Sequence, residues 1–181
     1  MTLIELMVVM LIIGVLVGMV SAMVFNVLRN GKIRRAESEV RAIGLAAEEY
    51  YRVFREVPLS TNWYNPTGSS DCGYTGTTNN YPMAAEFYNR LSGANGLQQD
   101  FLKIARTAEN SVTGVLLDPW GSPYEFYLDS NYDGRVAGPV SFSRSITVFV
   151  RCIGPNRVAD NPGRSGGNDD VTYPALAELI W

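Results

Sequence analysis

The first 28 residues constrain the fold more than any other stretch of the chain. Glu5 is their only ionisable side chain, and Ser21 and Asn26 are the only polar residues between positions 6 and 28. A helix over residues 6–28 would extend about 35 Å, which is enough to cross the hydrocarbon core of a membrane. Backbone groups inside a membrane must be bonded within the segment, so a helix is predicted. A carboxylate near the end of such a helix is costly unless it has a partner, and Glu5 therefore requires an explanation.

The apolar pattern continues beyond this segment in amphipathic form. Apolar residues recur every three or four positions from Ile33 to Phe54, and charged residues occupy the opposite face. We expect one helix of about 50 residues that ends before Pro58. The pattern divides it into an apolar transmembrane helix over residues 1–28 and an amphipathic continuation over residues 29–57.

The rest of the chain predicts a mixed head. Residues 58–117 are expected to form an α/β connecting region, and residues 118–181 an antiparallel sheet with a C-terminal loop region. Residues 59–81 are rich in turn-forming residues and predict a long loop. Short helices are predicted over 83–91 and 97–108, and strands over 112–117, 124–128 and 145–153, with a final short helix or strand near 176–181. The predicted fold class is α+β, with the long N-terminal helix packed on a C-terminal antiparallel sheet.

Composition excludes several functional classes. The chain has no histidine, which removes the commonest general base and most zinc sites, and no catalytic constellation is visible. We therefore expect a protein that is not an enzyme. Residues 1–57 carry seven Lys or Arg against six Asp or Glu, whereas residues 58–181 carry eight against twelve. This division suits contact between the stem of one copy and the head of another, and it does not indicate nucleic-acid binding.

The two cysteines, Cys72 and Cys152, are too few for a metal cluster. In an oxidising compartment we expect a disulfide between them, and two free thiols are the alternative. The bond would contribute on the order of 4 kcal/mol by the chain-entropy estimate.

The N-terminal residues Thr2-Leu3-Ile4-Glu5-Leu6-Met7-Val8-Val9, followed by an apolar helix, resemble the processed N-terminus of the type IV pilin and type II secretion pseudopilin superfamily. The resemblance implies that a prepilin peptidase removes a basic leader and that Met1 becomes N-methylated. It also implies that Glu5 pairs with the amino group of Met1 on a neighbouring subunit. Many family members have proline where this chain has Ala22, and here only Gly14 and Gly18 weaken the helix.

The position of the basic residues after the apolar segment agrees with the removal of an N-terminal leader. A basic cluster, Arg29, Lys32, Arg34 and Arg35, follows the apolar segment and would hold its own side of a membrane in the cytoplasm. A basic leader ahead of Met1 would reverse that orientation. An ordinary membrane anchor and a cleaved secretory signal are the other interpretations of the first segment, and the second fits poorly because no basic residue precedes the apolar run.

A second stretch, Asp118-Pro119-Trp120-Gly121-Ser122-Pro123-Tyr124, predicts a tight turn before a strand. Pro119 favours the turn, Gly121 relieves steric strain in the backbone of the turn, and Trp120 supplies a large apolar anchor. The stretch resembles the Asp-Pro-Trp-Gly-x-Pro-Tyr signature of major pseudopilins of type II secretion. In that family it leads into the antiparallel sheet that packs on the long helix.

Two loops are candidates for calcium. Asp129, Asn131 and Asp133 match the first half of a calcium loop, but position 12 is Val140 instead of Glu, and a plain hairpin turn is the alternative. The second loop is implied by the resemblance, because pseudopilins bind calcium through a Gly- and Asp-rich loop that ends in Asp-Asp-Ile. Its candidate ligands here are Asn156, Asp160, Asp169 and Asp170.

The resemblance implies a structural subunit of a helical pilus-like filament, the major pseudopilin of a type II protein secretion system. Implied partners are further copies of the chain, the bacterial inner membrane before assembly, the prepilin peptidase, assembly-platform proteins and minor pseudopilins. The N-terminus would be cytoplasmic and the head periplasmic, and the filament would be periplasmic, with the cell surface or the extracellular space as alternatives. Alternatives are a type IV pilin of a surface pilus that serves adhesion, motility or DNA uptake, and a membrane-anchored calcium-binding extracytoplasmic domain.

Overall fold

The computed structural model describes residues 3–68, 70–76, 80–104, 109–110, 114–137, 145–157 and 170–174, with the backbone alone at 20–23, 25–26 and 109–110. The chain divides into two compact units, Met1–Arg34 and Arg35–Trp181. The predicted α+β class is confirmed, since an N-terminal helix packs on a small antiparallel sheet. In chain order the elements of the described residues are α1 (Leu3–Phe54), β1 (Cys72–Tyr74), α2 (Tyr81–Leu91), β2 (Glu109–Asn110), β3 (Val115–Leu116), β4 (Glu125–Leu128), β5 (Val148–Cys152) and β6 (Val171–Tyr173).

Helix α1 is continuous over 52 residues, as the sequence predicts, and it ends before Pro58. Arg55 ends it in the left-handed region with φ of 59°, and its N–H donates to the Tyr51 carbonyl at 2.8 Å, as at many helix C-termini. Among the helices as the structure describes them, none has an apolar stretch long enough to cross a membrane. The prediction of a transmembrane half over residues 1–28 is not confirmed.

The amphipathic part of α1 supplies one wall of the core. Its buried side chains recur every three or four residues, which places them on one face of the helix. They pack with residues of the sheet and of α2, and burying a large side chain of this kind contributes about 1.5–3 kcal/mol. The fully buried large members of this core include Ile43, Tyr50, Phe87, Phe126 and Val150.

The main sheet has the order β1-β4-β5-β6, and each neighbouring pair is antiparallel. The register places Phe126 opposite both Tyr74 and Val150. Residues directly opposite each other on neighbouring strands point to the same face of the sheet, so the three side chains lie on one face. Phe126 also stacks on Phe87 of α2 with ring centroids 3.9 Å apart, which joins the second helix to the sheet.

Several predicted elements are confirmed in part. Helix α2 lies over the predicted helix at 83–91, and β3, β4 and β5 lie within the three predicted strands. Three strands were not predicted: β1 lies in the expected loop, β2 lies between the helix predicted over 97–108 and the strand predicted over 112–117, and β6 follows the C-terminal loop. The expected final element at 176–181 lies outside the described residues.

The helix predicted over 97–108 is wrong for residues 97–104, which are not helical. Asn95 explains the difference, because its side-chain oxygen accepts the N–H groups of Leu97 and Gln99 at 3.2 and 3.0 Å. A side chain that binds the backbone in this way competes with helix formation. Residues 101 and 102 then return to α2, where both N–H groups donate to the Leu91 carbonyl.

Candidate functional site

The first unit exposes apolar side chains in every direction. Each described large apolar side chain between Leu3 and Met19 is at least 50 % exposed, and Leu3 reaches 75 %. Consecutive helix positions point in successive directions around the axis, so no side of this segment is polar. Soluble monomers rarely expose continuous apolar surfaces of this extent, and such surfaces mark contact with a partner or a lipid phase.

Of the two residues predicted to act in assembly, Glu5 lies within the described part of the chain and Met1 does not. Glu5 lies exposed in the first turn of α1, where a carboxylate interacts favourably with the helix dipole. Met1 lies outside the described residues. Nearby, Gly14 and Gly18 leave open space where a side chain would begin, so a second helix could approach the backbone there.

In the second unit, a buried carboxylate joins α1 to the turn before β4. Glu39 is 8 % exposed and Tyr124 is 1 % exposed. The Tyr124 hydroxyl donates to Glu39 Oε2, and Arg35 Nε donates to Glu39 Oε1 at 2.7 Å. Burial, together with the bond to Glu39, raises the pKa of Tyr124, so the hydroxyl keeps its proton. The bond to Glu39 likewise raises the pKa of Arg35.

The predicted turn at Asp118 is confirmed. The Gly121 N–H donates to the Asp118 carbonyl at 3.0 Å, and Gly121 has φ of 85°, a value that favours glycine. Asp118 Oδ1 also accepts the N–H groups of Trp120 and Ser122 at 2.9 and 2.8 Å. Trp120 packs partly buried against the core. The stretch therefore forms a rigid turn that positions Tyr124 to reach Glu39.

The disulfide predicted between Cys72 and Cys152 is not formed, and both cysteines are free and buried. Cys72 pairs with Leu128, which pairs with Val148, and Cys152 lies four residues further along β5. Ordinary strand spacing then separates the two Cα atoms by about 16 Å, whereas a disulfide requires less than about 7 Å.

Burial also makes both thiols unreactive. Burial raises the pKa of Cys72 to about 12. It raises the pKa of Cys152 as well, and the Cys152 thiol donates to Asp118 Oδ2 at 3.2 Å. Thiols that hold their protons at neutral pH are poor nucleophiles and poor metal ligands.

The first calcium candidate forms a closed polar turn. Asp129 accepts the N–H groups of Asp133 and Gly134 at 3.2 and 2.9 Å, and Asn131 Oδ1 also accepts the Asp133 N–H at 3.0 Å. These oxygens are thus engaged by backbone donors, as in a plain hairpin turn. Burial raises the pKa of Asp129; the Gly134 N–H bond opposes this rise, and the charges of Asp71 and Asp133 add to it. Calcium binding by this turn stays a prediction.

The second calcium candidate is only partly described, because Asp160 and Asp169 lie outside the described residues. Asn156 is exposed. The Asp170 side chain is 1 % exposed and lies 3.8 Å from Arg151 Nη1. Arg151 also donates to Glu125 through Nε at 2.9 Å and through Nη2. Asp170 therefore faces a guanidinium, which is itself a cation.

In the described part of the chain, no group of three or more His, Cys, Asp or Glu side chains could hold a metal ion. Calcium binding by the loop that ends at Asp170 stays a prediction.

Sequence reasoning did not single out the Glu39–Tyr124 contact. A signal was present, because Glu39 falls between Ala36 and Val40 on the buried face of the helix. A carboxylate on an apolar face must find a partner when it is buried. Which partner it finds depends on long-range packing, since Tyr124 is 85 residues away.

No protein-family model matches the chain, and neither does any curated protein or solved structure. A functional proposal therefore depends on the contacts described above and on the resemblance of the N-terminal segment and of the turn at Asp118.

Proposed function

We propose that this protein is a structural subunit of a helical pilus-like filament, in which the apolar half of α1 packs against the same segment of other copies. The exposed apolar surface between Leu3 and Met19 carries the proposal. The folded head does not use this surface, because every buried apolar residue of the described chain lies at or after Ala36. The association of many such helices would remove the apolar surface from water at about 25 cal/mol per Å².

Glu5 adds specificity to this packing. A single carboxylate in an apolar interface is costly unless a cation neutralises it. We propose the amino group of Met1 on the adjacent copy as that cation, following the resemblance to pilins and pseudopilins. The pair contributes register more than net stability, because a subunit out of step would bury a charge without its counterpart.

The resemblance at Asp118-Pro119-Trp120-Gly121 favours the major pseudopilin of a type II secretion system within this class. The same resemblance also predicts processing by a prepilin peptidase and location in the inner membrane before assembly. It further predicts contact with assembly-platform proteins and minor pseudopilins. A surface type IV pilus is the other filament that fits. Electron micrographs separate the two, because one fibre is confined to the periplasm and the other leaves the cell.

The test compares Glu5→Gln with Glu49→Gln in cells that express the full chain with its assembly proteins. Both substitutions neutralise an exposed carboxylate of α1. We expect Glu5→Gln to lower the yield of sheared filaments at least about tenfold, because the Met1 amino group of the adjacent copy would be buried without its counterpart, and Glu49→Gln to leave it unchanged. Mass spectrometry of the wild-type filament should find a methylated Met1. A wild-type protein that stays monomeric without detergent, together with no effect of Glu5→Gln, would instead support a membrane-anchored binding domain.

A further inference from the structure

Three tyrosines from separate segments meet on the surface of the head. Tyr132, at the tip of the turn after β4, is 38 % exposed and stacks on Tyr51 of α1 with ring centroids 6.1 Å apart. The hydroxyls of Tyr132 and Tyr64 lie 3.5 Å apart. We call Tyr51, Tyr64, Tyr132 and Asp133 the tyrosine surface.

The tyrosine surface is held in place before any partner arrives. The side chains of Asp129 and Asn131 fix the turn through backbone N–H groups, as described above. Asp71 anchors the same turn from outside, because its carboxylate accepts the N–H groups of Ser130, at 3.3 Å, and Ala137. A ring fixed in this way loses little conformational entropy when a partner binds.

The chemistry of the tyrosine surface favours a cation. Asp133 follows Tyr132 in the chain and is exposed, with its Oδ1 accepting the Arg135 N–H at 2.8 Å, and the exposed Glu56 lies near Tyr64. Arg90, which also lies near Tyr64, is engaged by Glu86 at 2.9 Å. An ammonium or guanidinium group can therefore contact a ring face and a carboxylate together.

The chain itself contains a matching cationic segment. Arg29, Lys32, Arg34 and Arg35 are four of its fifteen basic residues, and no acidic residue occurs between Glu5 and Glu37. Residues 1–34 hold three basic residues and one acidic residue, which leaves twelve basic and seventeen acidic for the second unit. Arg29 and Lys32 are exposed and lie three positions apart, on one face of α1. Arg35, by contrast, is engaged by Glu39.

We propose that, in the filament, the tyrosine surface of one copy binds Arg29 and Lys32 of a neighbouring copy. This inference deepens the proposed function and rests on it. The contact joins the head of one subunit to the stem of another, in addition to the packing of the apolar helices. It gives the turn at Asp129–Gly134 a role in assembly.

Cysteine cross-linking in full-length filaments tests the contact directly. Lys32→Cys combined with Asp133→Cys should yield a ladder of disulfide-linked oligomers after oxidation. Lys32→Cys combined with Asp100→Cys is the matched control, because Asp100 is an exposed carboxylate outside the tyrosine surface. The native Cys72 and Cys152 are buried and should not contribute. Filaments that form but give no ladder with Asp133→Cys would overturn this contact and leave the proposed function standing, whereas a wild-type chain that forms no filaments would overturn both.

A charge exchange provides a second measurement, which does not depend on oxidation. Asp133→Lys alone and Lys32→Asp alone should each lower filament yield at least about fivefold, and the double variant should recover most of the loss, because the opposite charges again face each other. Asp100→Lys should have no effect. Equal yields for all four variants would show that the tyrosine surface faces solvent or another protein, and would overturn the proposal. Melting of the detergent-solubilised monomers checks that each variant is folded.

Discussion

At the scale of single residues, two buried tyrosine hydroxyls have opposite surroundings. The Tyr124 hydroxyl donates to the carboxylate of Glu39, whereas the Tyr88 hydroxyl has no hydrogen-bond partner among the described residues. We expect Tyr124→Phe to lower the free energy of unfolding by about 1.5–3 kcal/mol, because it leaves a buried carboxylate oxygen without its donor. Chemical denaturation followed by circular dichroism would measure the change.

Tyr88→Phe is the matched control, since it deletes the same atom at a site that is 4 % exposed. It should be neutral or slightly stabilising, because it removes a polar group whose burial is not compensated. Equal losses for the two variants would show that the Glu39 contact adds nothing beyond ordinary packing of the ring.

At the scale of elements, the contact of α1 with β6 depends on a missing side chain. A Cβ added at Gly44 would lie 2.0 Å from one ring carbon of Tyr173 and 2.5 Å from two others. One of these atoms is Tyr173 Cγ, the ring carbon bonded to Cβ, so the clash can be relieved only if β6 itself moves. We expect Gly44→Ala to destabilise the head by about 1–3 kcal/mol, as overpacking does, although alanine is the better helix former. Thermal unfolding would show the loss.

Gly96→Ala serves as the control for that prediction. The nearest atom to a Cβ at Gly96 is a Phe54 ring carbon at 4.0 Å, an ordinary contact. The substitution should be neutral or stabilising by up to about 1 kcal/mol, because alanine restricts the unfolded chain. A stabilising effect of Gly44→Ala as well would mean that Tyr173 does not pack over α1 in solution.

The same elements show which parts of the fold the sequence predicts. The length of α1, its buried face and the turn at Asp118 follow from local signals: periodicity, a proline and a glycine. Strand β1 was not predicted, because its three residues take their conformation from pairing with β4 and not from their own preferences. The helix predicted from residue 97 is wrong because one side chain, Asn95, binds the backbone locally. The separation of the cysteines likewise depends on strand register, which spacing along the chain does not specify.

At the scale of the whole molecule, the buried core and the apolar surface proposed for assembly lie in different parts of the chain. The buried apolar residues of the described chain all lie in Arg35–Trp181, and the continuous exposed apolar surface lies in Met1–Arg34. Deleting residues 1–34 should therefore remove assembly without removing the core. The deletion also leaves Arg35 and Glu39 in place, so the hydrogen bond from Tyr124 to Glu39 remains.

We expect the variant that begins at Arg35 to be monomeric in sedimentation experiments without detergent, and to form no filaments in cells. Its melting temperature should lie within about 4 °C of that of the head in the full-length protein, because a difference below about 1 kcal/mol shifts the melting temperature of a domain of this size by about that much at most. The full-length chain should self-associate when detergent is removed. A truncated chain that unfolds would show that the apolar segment stabilises the head, which the burial pattern does not support. Filaments formed by the truncated chain would place the main assembly surface on the head, and the exposed segment of α1 would then need another partner to cover it.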